Sequence, residues 1–148
     1  ATILIDFAHN PHGVTALAQA VAGVPANRRL FILGQAGDRS DDDSRELARA
    51  VWTGHPDMVV IKELTHKMRG RNPGELPAVF ADELRKLGAL DNGILVGDSE
   101  YAAVLLALEW ARPGDFLVLL LHDDRTEVVN LLDRLRADNW QAGQRVNV

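Results

Sequence analysis

Five short apolar runs set the terms for this chain: Ile3–Ile5, Leu30–Leu33, Met58–Ile61, Ile94–Val96 and Phe116–Leu121. Each is apolar on successive residues rather than on alternate ones. That is the pattern of strands buried on both faces. Between them lie stretches with helical periodicity, near Val14–Ala22, Ser44–Thr53, Leu76–Leu87 and Glu100–Ala111, and a last one near Thr126–Ala137. Alternating strand and helix predicts a Rossmann-like, three-layer α/β/α domain. Its sheet should be mostly parallel, with five or six strands and right-handed crossovers. The tail Gln141–Val148 is expected either to add an edge strand or to fray. Ligands of such sheets bind at the carboxyl ends of the strands, so the chemistry should be sought in the loops that follow the runs.

The first of these loops is the most distinctive. Thr2-Ile3-Leu4-Ile5 ends in Asp6 and continues Phe7-Ala8-His9-Asn10-Pro11. Pro11 suits the first turn of a helix, where its missing N–H would lack a partner anyway. Asn10 before it is a natural N-cap. The free N–H groups and partial positive charge of that helix start favour an anion such as phosphate, with Asp6 and His9 on the rim. An acid at a strand end followed by a cap is also common in α/β proteins with no ligand there.

The second run leads into Gly34-Gln35-Ala36-Gly37-Asp38-Arg39, whose glycines permit close backbone approach or positive φ. Asp41-Asp42-Asp43 precedes a helix, where acids complement the dipole, and charge balance with Arg39 and Arg45 explains it without a metal. The third run leads into Lys62–Glu75, a basic loop in an acidic protein, carrying Lys62, Lys67, Arg69 and Arg71. Arginines at a strand's carboxyl end can clamp a carboxylate through two parallel hydrogen bonds. A solvated connection is the alternative. His122 with Asp123, after the fifth run, is either an acid–base pair or a surface pair. Gly97-Asp98-Ser99-Glu100 is expected to cap the next helix.

Composition narrows the class. The 148 residues carry a net charge of −5 and no basic stripe, which argues against nucleic-acid binding. With no cysteine, disulfides and thiolate metal sites are excluded, which fits a cytoplasmic protein. The longest apolar run is too short to span a bilayer. The chain should form a single domain, and its lack of an initiating Met suggests a fragment or a processed chain. Neither Gly-x-x-x-x-Gly-Lys-Ser/Thr nor Gly-x-Gly-x-x-Gly occurs.

Asp6-Phe7-Ala8-His9-Asn10-Pro11 resembles the Asp-aromatic-Ala-His-Asn/Thr-Pro signature that opens the C-terminal domain of the Mur ligase superfamily. Gly34-x-x-Gly37-Asp38-Arg39 resembles the motif that follows that domain's second strand. The superfamily includes peptidoglycan amino-acid ligases, folylpolyglutamate synthetase and cyanophycin synthetase. The resemblance covers almost the whole chain, but only the last third of a complete ligase. It implies a lid that closes on ATP and presents an amine, while a central domain holds the phosphate loop and most of the Mg2+ ligands. There ATP phosphorylates a carboxylate, and the amine then attacks the acyl phosphate. Carried over residue by residue, it implies nucleotide contacts at Asp6, His9, Asn10, Gly37, Asp38 and Arg39. Arg69, Arg71 and Glu75 would meet an amino-acid or peptide substrate. The chain itself would supply neither the catalytic nucleophile nor a metal ligand. The loop Arg71-Asn72-Pro73-Gly74-Glu75 departs from the Asp-Asn-Pro-Arg motif of the cell-wall enzymes. Leu121-His122-Asp123-Asp124 lacks their Gly-Lys-Gly-His-Glu. Arg69-Gly70-Arg71 with Pro73-Gly74-Glu75 is closer to cyanophycin synthetase. The alternative is a stand-alone, non-catalytic module that binds a nucleotide or an acidic ligand.

Overall fold

A computed structural model describes residues 1–148. Its sheet has five strands: β1 Thr2–Asp6, β2 Arg29–Leu33, β3 Met58–Lys62, β4 Ile94–Gly97 and β5 Phe116–Leu120. All pairs are parallel, in the order β1-β5-β2-β3-β4. Five helices follow the strands in turn: α1 Pro11–Ala22, α2 Asp41–Trp52, α3 Glu75–Leu87, α4 Glu100–Trp110 and α5 Arg125–Ala137. The Rossmann-like α/β/α expectation holds, with the lower of the two strand counts and no antiparallel member.

The strand order follows from crossover handedness. From β1 to β4 the chain advances across the sheet with α1, α2 and α3 on one face. Val14, Ala18, Leu47, Val51, Phe80 and Leu84 pack there against Phe31, Val59 and Val118. It then returns to β5 by way of α4 on the other face, as a right-handed connection in the reverse direction requires. Val104, Leu108, Val128 and Leu131 pack there against Ile32, Val60 and Leu119. Strands β3 and β5 are buried along their whole length, as their unbroken apolar runs imply.

Caps set where the helices begin. Asn10 Oδ1 accepts from Gly13 N at 2.8 Å, so α1 starts at Pro11, three residues before the apolar stripe. Ser40 and Asp43 form a capping box that starts α2 at Asp41. The three acids at 41–43 therefore occupy the first turn of α2. The tail forms no strand. It docks under α5, with Val146 buried, Trp140 Nε1 donating to Gln144 O and Arg134 donating to Asn147 O. No helix is long and apolar enough to cross a membrane.

Candidate functional site

Because β5 lies between β1 and β2 but sends its helix to the opposite face, the loops after these strands part at their carboxyl ends. In open α/β sheets, ligands bind at such a reversal, outside the carboxyl ends of the strands. A cleft of about 250 Å3 opens there, lined by His9, Gly34, Gln35, Ala36, Arg39, Leu64, Lys67 and His122. Its polar side chains are cationic, imidazole or amide, and no carboxylate lines it. A larger groove of about 340 Å3 runs between β1, α5 and the tail, but most of its lining residues are hydrophobic and it lies away from the strand ends.

Beneath the cleft lies a buried polar network. Lys62, the last residue of β3, is 2% exposed, and Glu100, the first of α4, is fully buried. Lys62 Nζ donates to Glu100 Oε1 at 2.6 Å, to Leu120 O, and to His122 Nδ1 at 3.0 Å. Its three protons are thus all taken, which is the condition for burying an ammonium. The other Glu100 oxygen, Oε2, accepts from the backbone N–H of Asp123 and Asp124, and Oε1 also accepts from His122 N. Asp124 in return accepts from Tyr101 N, so the starts of α4 and α5 hold each other.

Burial pulls the Lys62 amine down to about 8, against the opposing pull of Glu100. For Glu100, burial pushes the carboxyl up. The Lys62 ammonium and the His122 and Asp123 N–H groups outweigh that, and the group stays below the ordinary carboxylate range. His122 is lowered to about 4, first by burial and then by the Lys62 charge. Its Nε2 lies 2.8 Å from Ala8 O.

Gly34 explains how Lys62 reaches β5 past the end of β2. A Cβ on Gly34 would stand 2.5 Å from Lys62 Cγ and 2.7 Å from Lys62 O. The Lys62 stem crosses the space that any side chain at 34 would fill. Gly37 is tighter still, since a Cβ there would lie 1.8 Å from Met68 O. Close approach, rather than positive φ, is what both glycines supply.

The residues expected to touch ligands separate into groups. His9 and Arg39 line the cleft. Asp6 and Asn10 are turned to the backbone, Asp6 Oδ1 accepting from Ala8 N at 2.8 Å and Asn10 capping α1. Gly37 packs on the next loop, and its N–H donates to Lys67 O. Asp38 is exposed and outside the lining. Arg69 is exposed, has left-handed backbone at φ 53° and makes no side-chain hydrogen bond or ion pair within the chain. Glu75 Oε2 accepts from Asn72 N at 3.0 Å.

Arg71, a candidate for holding a substrate carboxylate, is engaged within the chain: Nε donates to Gly37 O at 2.9 Å, Nη2 to Arg39 O at 2.7 Å and Nη1 to Asp41 at 2.8 Å. The guanidinium clamps the chain's own loop. Lys62, read from sequence as part of a basic loop, is instead the buried end of β3. His122 does not pair with Asp123, whose carboxylate accepts from His66 N. His66, Asp123 and Asp124 bring ligand atoms within 4.8 Å of one another. Both carboxylates already accept backbone hydrogen bonds, and an imidazole does not suit Mg2+.

The sequence signals for the network were slight. A lysine ending an apolar run and a glutamate opening a helix look like surface residues, and only the strand order brings them together.

A family profile described as "Mur ligase, glutamate ligase domain" matches residues 1–120. The UDP-N-acetylmuramoyl-L-alanyl-D-glutamate--2,6-diaminopimelate ligase of Caldanaerobacter subterraneus subsp. tengcongensis is 26% identical over 117 residues, which is 79% of this chain and 23% of that protein. The cyanophycin synthetase of Crocosphaera subtropica is 30% identical over 132 residues, 88% of this chain and 14% of that protein. The chain thus spans less than a quarter of either relative. A solved UDP-N-acetylmuramoyl-L-alanyl-D-glutamate--2,6-diaminopimelate ligase superposes with a TM-score of 0.66 at 18% identity, over 90% of this chain and 29% of that one, which shows a shared fold. The turn at Asp6–Pro11, the sheet and the profile match agree, and the chain belongs to the Mur ligase C-terminal (glutamate ligase) domain family.

Proposed function

We propose that residues 1–148 act as one unit, the C-terminal domain of a cytoplasmic, ATP-dependent acid–amino-acid ligase. In this reading the domain closes on ATP carried by a central ATPase domain and positions the amine substrate. The observation that carries it is the cleft. It is acid-free, it lies at the sheet's reversal point, and His9 of the family's signature turn lines it. Phosphate oxygens would meet Arg39, Lys67 and the His9 ring, in a partly enclosed setting where such contacts strengthen. Asp6 and Asn10 contribute by shaping the turn, Gly37 by admitting the neighbouring loop, and Asp38 by standing beside it. A lining without carboxylates does not fit Mg2+, so the ion would be held by the central domain.

In this reading Arg69 and Glu75 face the amine substrate, and Arg71 serves by holding the platform from which Arg69 projects. Attack of the amine on an acyl phosphate forms the amide, releases phosphate and sheds the amine's proton. This chain's part in that step is orientation. The finer assignment, to a cyanophycin-like enzyme, is supported by Arg69-Gly70-Arg71, by Pro73-Gly74-Glu75 and by the absence of Gly-Lys-Gly-His-Glu after β5. Comparable identities to a peptidoglycan ligase and to a cyanophycin synthetase leave the substrate to experiment.

The test is steady-state kinetics of the longer ligase with Arg39→Ala and His9→Ala. Loss of one charge-assisted hydrogen bond should raise KM for ATP roughly 10- to 150-fold and leave KM for the amine near its starting value. Arg69→Lys and Glu75→Gln should do the reverse. Unchanged ATP dependence in both cleft variants would refute the nucleotide assignment and favour a stand-alone binding module.

A further inference from the structure

The turn between β1 and α1 carries His9 to the cleft, and apart from Ala8, which packs against the core on the α1–α3 face, few contacts hold it. Within residues 7–9, Ala8 N donates back to Asp6, and His9 Nδ1 lies 3.3 Å from Phe7 O. The bond between His122 Nε2 and Ala8 O is the one hydrogen bond joining these residues to another element. Phe7 adds a cation–π contact with Arg125 at 4.6 Å. His122 lies across from His9, the two rings edge to face with centroids 6.3 Å apart.

The hydrogen-bond pattern fixes the state of the His122 ring. The Lys62 ammonium has protons to give and no lone pair, so Nδ1 must accept from it. Ala8 O is an acceptor, so Nε2 must carry the proton. The ring is therefore neutral, with one nitrogen receiving and the other donating. A proton on Nδ1 would point at the ammonium and break that contact. The charged and titratable groups facing the ring come from four places: Lys62 on β3, Glu100 on α4, His9 on the first turn, and Lys67, whose ammonium bonds His122 O.

We propose that His122 is a positioning residue. Anchored by Lys62 and bonded to Ala8 O, it pins the Phe7–Asn10 turn to the end of β5 and so sets where His9 faces the cleft. The Lys62–Glu100 pair makes the anchor rigid, because it ties β3, α4 and β5 into one buried knot. This assignment rests on contacts within the chain and holds whatever the cleft binds.

The test is nitrogen NMR and amide exchange on the labelled 148-residue chain. The ring should show the Nε2–H tautomer at pH 7 and stay uncharged well below the usual histidine range. In His122→Leu, which can neither accept nor donate, the Ala8 and Gly13 amides should exchange about tenfold faster while those of β3 and β5 hold. In His122→Gln, which can do both, they should return to within about threefold of the native rate. A charged ring or the Nδ1–H tautomer at pH 7 overturns the proposal. So does equal exchange in all three proteins, or a Gln variant no better than Leu. If His122→Leu fails to fold, the native tautomer and the Gln variant still decide.

Discussion

A buried ion pair is weak evidence for stability, because desolvation offsets much of the attraction. Lys62 and Glu100 are better understood as a specification. Between them they contact β3, β5, α4 and the start of α5, and removing either leaves the other charged and unpaired. The network also has a pH signature. His122 is held to about 4, below its ordinary 6.5. As pH falls, the unfolded chain takes up this proton first, so the folded state loses stability from about pH 6.5 down to about pH 4. Above that window the contribution is complete. Glu100, whose carboxyl is also held low, adds loss in the same direction below its ordinary 4.5. The His122 part amounts to as much as about 3 kcal/mol. Urea unfolding at pH 7 and pH 5 should show a smaller difference in His122→Gln than in the native chain. An identical difference would mean that another group sets the slope.

At the level of elements, the loops after β2 and β3 form a single body. Gly37 lies against Met68, Gly37 N donates to Lys67 O, and Arg71 closes the gap through Gly37 O, Arg39 O and Asp41. Arg71→Lys keeps the charge but cannot span three acceptors with one ammonium. It should loosen both loops together, seen as faster proteolysis between residues 64 and 73 and a loss of roughly 1–3 kcal/mol. Faster cleavage with an intact Arg39 segment would show that the loops are independent. This is also where sequence reading stopped short. The apolar runs located every strand, because burial on both faces leaves a continuous pattern that needs no partner to be read. Asn10 and Pro11 located the first helix start, because capping is local chemistry. The contacts of Arg71, Lys62 and His122 are not legible in the sequence, because their partners stand 34, 38 and 60 residues away. An arginine that grips its own backbone looks the same, in sequence, as one waiting for a substrate.

For the whole molecule, the proposed reading makes the chain a closing lid without a phosphate loop of its own. It should therefore fold in isolation, show cooperative unfolding, and form no amide from ATP, a carboxylate and an amine. Turnover by the 148-residue chain alone would contradict that division of labour. The sheet order carries a separate consequence, one of timing. β1 is made first, yet its one partner is β5, made last, with Thr2 opposite Phe116 and Asp6 opposite Leu120. During synthesis β2, β3 and β4 can assemble in turn with their crossover helices, while β1 and the signature turn wait with nothing to pair with. Pairing β1 with β5 closes the longest loop in the sheet, and contacts so far apart in sequence are expected to form late. Leu120, His122 and Lys62 meet only with β5 seated between β1 and β2, so the cleft depends on that closure.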